Sequence, residues 1–171
     1  MSYTLYDDDL LIDIQTPKPV HARISNLDLC QSKGLPVTVS YANMDYGRTA
    51  YGFNQEFSEK DARRYFKLMR KFCSNTLEFM ESLNDEPDDE GEKLHLYNNP
   101  ISGNLKKVLE TYDKEAAQAI PYIYHFALYT CGNASRKTKV RSPRIYFMVG
   151  AYGIIYPLFF DPFHEINPTD Y

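Results

Sequence analysis

The stretch RIYFMVGAYGIIYPLFF, residues 144–160, contains two apolar runs separated by GAYG. Both runs are rich in β-branched and aromatic side chains, which favour strands, and the short segment between them suits a hairpin turn. Pro157 lacks an amide hydrogen, so the second strand is expected to be bulged there or to lie at an edge. Asp161 and Pro162 then start a turn, and His164 follows beyond the strand end. The stretch therefore predicts an antiparallel hairpin.

The clearest helical signal is FSEKDARRYFKLMRKFCSNTLEFMESL at residues 57–83. Ser58 and Asp61 have the spacing of a capping box, in which a hydroxyl and a carboxylate bond the free amides of the first turn. Apolar residues then recur at steps of three and four, which predicts one amphipathic helix of about six turns. Its inner face is predicted to consist of Ala62, Tyr65, Phe66, Met69, Phe72, Cys73, Thr76, Leu77, Met80 and Leu83.

Weaker signals complete the predicted fold. LPVTVSYA and YIYHFALYT alternate as strands do, and GNLKKVLETYDKEAAQAI predicts a second helix. Together these elements predict the α+β class, with an antiparallel sheet built mostly from the C-terminal half and two main helices packed on one face. Since no linker or repeat interrupts the pattern, residues 1–171 are expected to form a single domain with a mobile acidic loop near residues 84–93.

Composition restricts the classes of protein. The chain has three cysteines without a C-x-x-C pair, which argues against a disulfide framework or a zinc knuckle and favours a reducing cytoplasm. No apolar run reaches the roughly 18 residues of a membrane span, so no membrane association is expected. The sequence lacks the H-x-x-x-H and H-E-x-x-H spacings and Gly-rich phosphate loops, so it predicts neither a metal site nor a cofactor.

Charged residues are segregated along the chain, although the net charge is −4. Basic residues are concentrated in the long helix and at residues 136–144, whereas acidic residues cluster at 7–13 and 85–92. Such segregation can create a local positive field, which phosphate binding requires. The residues predicted to bind nucleic acid are Lys67, Arg70, Lys137, Lys139 and Arg141. The alternative is a pair of solvated faces whose opposite charges partly neutralise each other across the fold.

Three residues of the C-terminal region are candidate catalytic groups. His164 is the leading one, because an imidazole with a pKa near neutrality can transfer protons. Arg144 and Tyr146 lie on the predicted strand before it. Metal-independent cleavage of RNA needs such groups: a base, an acid and a cation that stabilises the phosphorane. The alternative is a structural His164, bonded to Asp161 or to a main-chain carbonyl.

The arrangement from Arg144 to Glu165, preceded by helices, resembles the RelE-like mRNA-cleaving toxins of bacterial toxin–antitoxin systems. Those small proteins have helices before an antiparallel sheet, an arginine on a late strand, and a histidine or tyrosine near the C-terminus. The resemblance implies Arg144 as phosphate clamp, His164 as general acid or base, and Tyr146 and Lys139 as assisting residues.

Three functions are compatible with these patterns. The first is a small intracellular interaction protein of a phage, plasmid or defence module, which binds a macromolecular partner, either a protein or RNA. For a protein partner, a tyrosine-rich surface and acidic loops would form the contact area. The second is a metal-independent endoribonuclease, and the third is an RNA-binding module without catalysis. Clustering of the basic residues with His164 around one cleft would favour the second and third, whereas their dispersal would favour the first.

Overall fold

The computed structural model describes residues 31–84, 86–120, 122–130 and 140–168. Within these ranges, no helix is long and apolar enough to cross a membrane. The elements that position the candidate site are, in chain order, β1 (Thr38–Val39), α1 (Glu59–Cys73), α2 (Leu77–Ser82), β2 (Tyr97–Pro100), α3 (Gly103–Tyr112), α4 (Ala116–Ala119), β3 (Tyr122–Ala127), β4 (Arg144–Val149) and β5 (Ile154–Asp161).

The strands form a five-stranded sheet in the order β1-β5-β4-β3-β2. β1 runs parallel to β5, and the other neighbours are antiparallel. The predicted hairpin is therefore present as β4 and β5, and the α+β class with a mostly antiparallel, mostly C-terminal sheet is confirmed. The pairing of the two strands shifts between Tyr146, which faces Phe159, and Phe147, which faces Pro157. This irregularity is the bulge that the missing amide of Pro157 predicted.

The turn between β4 and β5 lets β1 approach closely. Gly153 has φ +74°, and a side chain there would come within 2.7 Å of the Pro36 carbonyl oxygen. Only glycine tolerates both this backbone conformation and this contact without strain. The final glycine of GAYG thus places residues 38–39 beside the hairpin.

Both faces of the sheet are covered, which differs from the prediction of two helices on one face. Phe72 of α1 packs in a cluster with Phe147 of β4, whereas Leu109 of α3 packs with Tyr146 of the same strand. Adjacent residues of a strand point to opposite faces, so α1 and α3 lie on opposite sides of the sheet. The reason is visible in β4, which is buried at every position and would expose an apolar face to water under a single helical layer.

The predicted long helix is two helices. The capping box of Ser58 and Asp61 is present, but α1 ends at Cys73 and Thr76 begins α2 by accepting a hydrogen bond from the Phe79 amide. Between them, the Asn75 carbonyl accepts a hydrogen bond from the Val37 amide. The break therefore ties the helices to the segment that leads into β1.

The buried face of α1 is rotated from the predicted one. Phe66 is 60% exposed and Cys73 is exposed, whereas Leu68 and Arg64 are buried. Arg64 tolerates burial because its Nε donates to the Leu128 carbonyl oxygen at 2.7 Å and its Nη2 pairs with an Asp88 carboxylate at 2.5 Å. The assignment of Phe66 and Cys73 to the inner face was wrong.

Candidate functional site

Of the predicted nucleic-acid-binding residues that the structure describes, Lys67 and Arg70 lie one turn apart on α1, whereas Arg141 lies before β4. Lys67 is exposed on α1, and its Nζ lies 2.5 Å from a carboxylate oxygen of Glu90. Arg64 binds Asp88 and Glu90 of the same acidic loop, whose main chain is held by a bridge between Pro87 and Lys93. In this part of the protein the opposite charges neutralise each other, as the alternative interpretation expected. The mobility of the loop stays a prediction.

Arg141 belongs to a structural network around the start of α1. Its Nη2 donates to the carboxylate of Asp61, which is fully buried and also accepts hydrogen bonds from the Ser58 amide and the Tyr129 hydroxyl. The hydrogen bonds from Arg141, Ser58 and Tyr129 outweigh the effect of burial and lower the pKa of Asp61. Arg141 is therefore engaged in the fold. Lys137 and Lys139 lie outside the described residues.

The predicted catalytic residues, in contrast, are brought together. Arg144 and Tyr146 alternate along β4 and so face the same side of the sheet. His125 of β3 lies opposite Tyr146 in the register, with ring centroids 5.2 Å apart, and the His164 ring lies 5.9 Å from that of His125. These four residues, His125, Arg144, Tyr146 and His164, are here called the histidine cluster. It lies on the α3 face of the sheet, away from α1.

His125, in the middle of β3, is the central member of the cluster. Its Nδ1 lies 2.6 Å from Nδ2 of Asn99, whose Oδ1 accepts a hydrogen bond from Asn167 at 2.7 Å. Because an amide nitrogen only donates, Nδ1 accepts and the ring proton resides on Nε2. The sequence signal that could have placed His125 at the site is the alternation of β3. It puts His125 on the same face as Ile123, and the strand pairing puts it opposite Tyr146.

Burial sets the protonation of the cluster. It lowers the pKa of His125 to about 3 and that of His164 to about 4, and the nearby Arg144 cation acts in the same direction. Burial also raises the pKa of Tyr146 well above its usual range. Both imidazoles are therefore neutral and the phenol is protonated near pH 7. The imidazoles can accept a proton and the phenol can donate one, but these three side chains carry no positive charge.

Three members of the cluster are buried, whereas His164 is partly exposed. Tyr146 is 0% exposed and Arg144 is 7% exposed, and the latter's Nη1 lies 3.1–3.4 Å from oxygens of Tyr129, Ser142 and Pro143. The Tyr146 hydroxyl and the Nε2 of His164 are buried and make no hydrogen bond within the described residues. Buried polar atoms without partners are uncommon and often mark a site of function or strain.

Asp161 does not bind His164 as the structural alternative proposed. Its carboxylate instead accepts hydrogen bonds from the main-chain amides of Phe163, at 3.2 Å, and Ile166, at 2.7 Å. These bonds hold the turn after β5, in which His164 has φ +57°. A non-glycine residue in this left-handed region is uncommon, so the turn aims the imidazole at the cost of local strain.

A second feature is the solvent-facing side of α1, here called the outer face. It consists of Lys60, Arg63, Phe66, Lys67, Arg70 and Lys71, all of which are exposed. Phe66 lies between Arg63 and Arg70, one turn away on either side. The centroid of its ring lies 5.3 Å from that of Tyr65, and the half-exposed Tyr41 ring lies 6.5 Å from that of Tyr65.

Neither feature is arranged as a metal centre. Within residues 31–84, 86–120, 122–130 and 140–168, no group of three or more His, Cys, Asp or Glu side chains is placed to hold a metal ion. No protein-family model matches the sequence, and no curated protein or solved structure is significantly similar to it. Function is therefore inferred from the outer face of α1 and the histidine cluster alone.

Proposed function

We propose that this protein is an interaction protein that binds a macromolecular partner through the outer face of α1. The observation that carries the proposal is Phe66, which is 60% exposed and flanked by the two arginines Arg63 and Arg70. A large exposed aromatic ring contributes little to the fold, whereas aromatic and arginine side chains together dominate the energetics of many binding surfaces.

The dispersal of charged residues supports binding over catalysis. Lys67 and Arg70 lie on the α1 side of the sheet, whereas Arg144 and His164 lie on the α3 side. This separation of the basic helix from the histidine cluster supports the proposal of a binding surface on α1. The exposed thiol of Cys73 on the outer side of α1 is in keeping with a reducing compartment, and we place the protein in the cytoplasm in this proposal.

Capture from native cells tests the proposal. Tagged wild-type protein is expected to retain a specific protein or nucleic acid, identified by mass spectrometry and by sequencing. The double variant Phe66→Ala/Arg70→Gln should lose it, because both the ring and one flanking cation are gone. The matched control is Lys107→Gln, which removes an exposed charge from α3 on the other side of the sheet. Retention that is equal for the double variant and the control would refute the proposal.

The convergence of Arg144, Tyr146 and His164 around His125 favours a second candidate function, metal-independent cleavage of RNA. Neutral His164 would act as the base, the protonated Tyr146 hydroxyl as the acid, and the Arg144 cation would stabilise the phosphorane. Since Tyr146 is fully buried, a phosphodiester reaches these groups only after part of the surrounding chain moves aside.

An RNA cleavage assay tests this second candidate. Removing the imidazole by His164→Ala should lower the cleavage rate about 10²- to 10⁴-fold while the protein stays folded. Tyr152→Phe is the control, because that exposed tyrosine lies in the β4–β5 turn outside the histidine cluster. Absence of cleavage by the wild type, or equal rates for His164→Ala and wild type, would remove the candidate.

A further inference from the structure

We propose that the partner on the outer face of α1 is a single-stranded nucleic acid, with an unpaired base stacked on Phe66 and phosphates bound by Arg63 and Arg70. This inference rests on the proposed function, because it names the occupant of the same surface. It does not involve the histidine cluster, which lies across the sheet.

The position of Phe66 provides the stacking platform. Its ring is exposed, and an edge-on contact with the Tyr65 ring (interplanar angle 68°) supports it. Tyr65 is itself buried at 1% exposure, so a ring of the core supports Phe66. Every nucleobase has a π-face, so stacking on such a ring binds a single strand with little dependence on sequence. Tyr41, whose ring lies 6.5 Å from that of Tyr65, offers a second half-exposed ring.

The charges around Phe66 match a polyanion. Arg63 and Arg70 lie one helical turn before and after the ring, which is about 5 Å along the axis in each direction. A backbone that places a base on Phe66 therefore passes its phosphates near both guanidinium groups. That of Arg63 also donates to the exposed Glu59 carboxylate at 2.9 Å, a pair that a phosphate can replace at little cost. Arg70 and Lys71 make no ion pair within the described residues, so their charges are available to a ligand.

The acidic loop shows that this face already binds anionic groups. A carboxylate oxygen of Glu90 lies 2.5 Å from the Nζ of Lys67, next to Phe66 along α1. Glu90 is 54% exposed, so an incoming phosphate can replace it at little cost. The pKa of Glu90 is lowered by the hydrogen bond from Lys67, as expected for a charged carboxylate at this position. The loop thus competes with the ligand for one cation.

Two other occupants fit less well. A duplex hides the faces of its bases, so it would use the cations and leave the Phe66 ring without a stacking partner. An acidic protein would likewise pair with the arginines, but an aromatic ring enclosed by cations on both sides offers it little apolar area. One exposed ring with flanking arginines is matched by a nucleotide, whose planar base stacks on the ring and whose phosphate binds the arginines.

Fluorescence anisotropy with labelled single-stranded oligonucleotides, a poly-uridine 16-mer and a poly-thymidine 16-mer, tests the inference. Wild-type protein should bind at low ionic strength, with affinity that falls as salt rises. Phe66→Ala should weaken binding between about fivefold and 100-fold through lost stacking. Arg70→Gln should lower the slope of log K against log salt by about one. Glu90→Gln should tighten binding, because it releases Lys67.

Matched controls make the result specific. Tyr152→Ala removes another exposed ring and Lys107→Gln another exposed charge, both away from α1, and neither should change the affinity. Circular dichroism confirms that each variant is folded. The inference is overturned if the wild type does not bind, if a duplex of equal length binds as tightly, or if Phe66→Ala and Tyr152→Ala behave alike.

Failure of this inference can be told from failure of the proposed function. If oligonucleotides do not bind, but native cells yield a protein whose retention depends on Phe66 and Arg70, the interaction surface stands and its occupant is a protein. If neither experiment shows dependence on Phe66, both proposals are wrong. Sequencing of captured RNA or DNA that is lost from Phe66→Ala would support both.

Discussion

Truncating Phe72 to alanine should destabilise the protein far more than the same truncation of Phe66 on the same helix. Phe72 is 0% exposed and packs against the rings of Phe126, at 5.3 Å, and Phe147, at 6.1 Å. Removal of such a buried ring leaves a cavity under α1 and lowers the free energy of unfolding by about 3–5 kcal/mol. Loss of the ring–ring contacts places the expected value in the upper part of that range.

Phe66 is the internal control, because it has the same chemistry and the same helical context. Since only two-fifths of its surface is covered, its truncation removes roughly 1 kcal/mol of apolar burial at most. Any gain in helix propensity from alanine is common to both variants and cancels in the comparison. The expected difference between them is therefore about 2–4 kcal/mol.

Urea denaturation followed by far-UV circular dichroism measures this difference. With a slope of about 1–3 kcal/mol/M for a domain of ordinary size, the midpoint of Phe72→Ala should fall below that of Phe66→Ala by roughly 1–2 M. Equal midpoints would show that the buried face of α1 is misassigned. That result would also remove the exposed ring on which the binding proposal depends.

Three further predictions concern buried polar groups. The pKa values of His125 and His164, about 3 and about 4, lie below that of an unfolded histidine, so the unfolded state binds more protons on acidification. The stability that these neutral imidazoles contribute should therefore be full above about pH 6.5 and should fall as the pH drops toward 4. His164→Gln should make the dependence of melting temperature on pH less steep over this range. An unchanged dependence would contradict the prediction. Asp61→Asn should lower the free energy of unfolding by about 1–3 kcal/mol through loss of the capping network, whereas Glu59→Gln at an exposed pair should change it by under about 0.5 kcal/mol in chemical denaturation. Tyr146→Phe removes a buried hydroxyl that makes no hydrogen bond within the described residues and should leave stability equal or higher; a loss above about 1 kcal/mol would reveal a partner.

Local patterns were sufficient where the determinants are local. The hairpin of β4 and β5 follows from two apolar runs around GAYG, and the start of α1 follows from the spacing of Ser58 and Asp61. The bulge near Pro157 likewise follows from one missing amide. In each case the interacting groups are close in sequence, so the pattern contains the cause.

Distant contacts explain what the sequence did not predict. Arg64 was not among the residues predicted for the inner face of α1, and its partners Asp88 and the Leu128 carbonyl lie far along the chain. Their hydrogen bonds allow Arg64 to be buried, and the helix is rotated so that Phe66 is exposed. The placement of α3 on the opposite face could have been inferred from β4, which has no polar alternation to mark a solvent side.

The candidate site was predicted in part for the same reason. Arg144, Tyr146 and His164 come from one contiguous stretch, so their proximity follows from strand alternation and the turn after β5. His125 joins them only through the pairing of β3 with β4, and Asn99 only through that of β2 with β3. No spacing rule connects these residues before the sheet order is known.

The parallel pairing of β1 with β5 has a kinetic consequence. It joins Thr38 to Ile154, two residues separated by nearly the whole described chain. Closing so long a loop loses chain entropy before any stabilising contact forms, and proteins with such topologies fold slowly. The antiparallel strands β3, β4 and β5 are neighbours in sequence order and can pair first. During synthesis β1 must wait for β5 to emerge from the ribosome, so α1 and the segment before it spend that interval without the sheet that covers their apolar side chains.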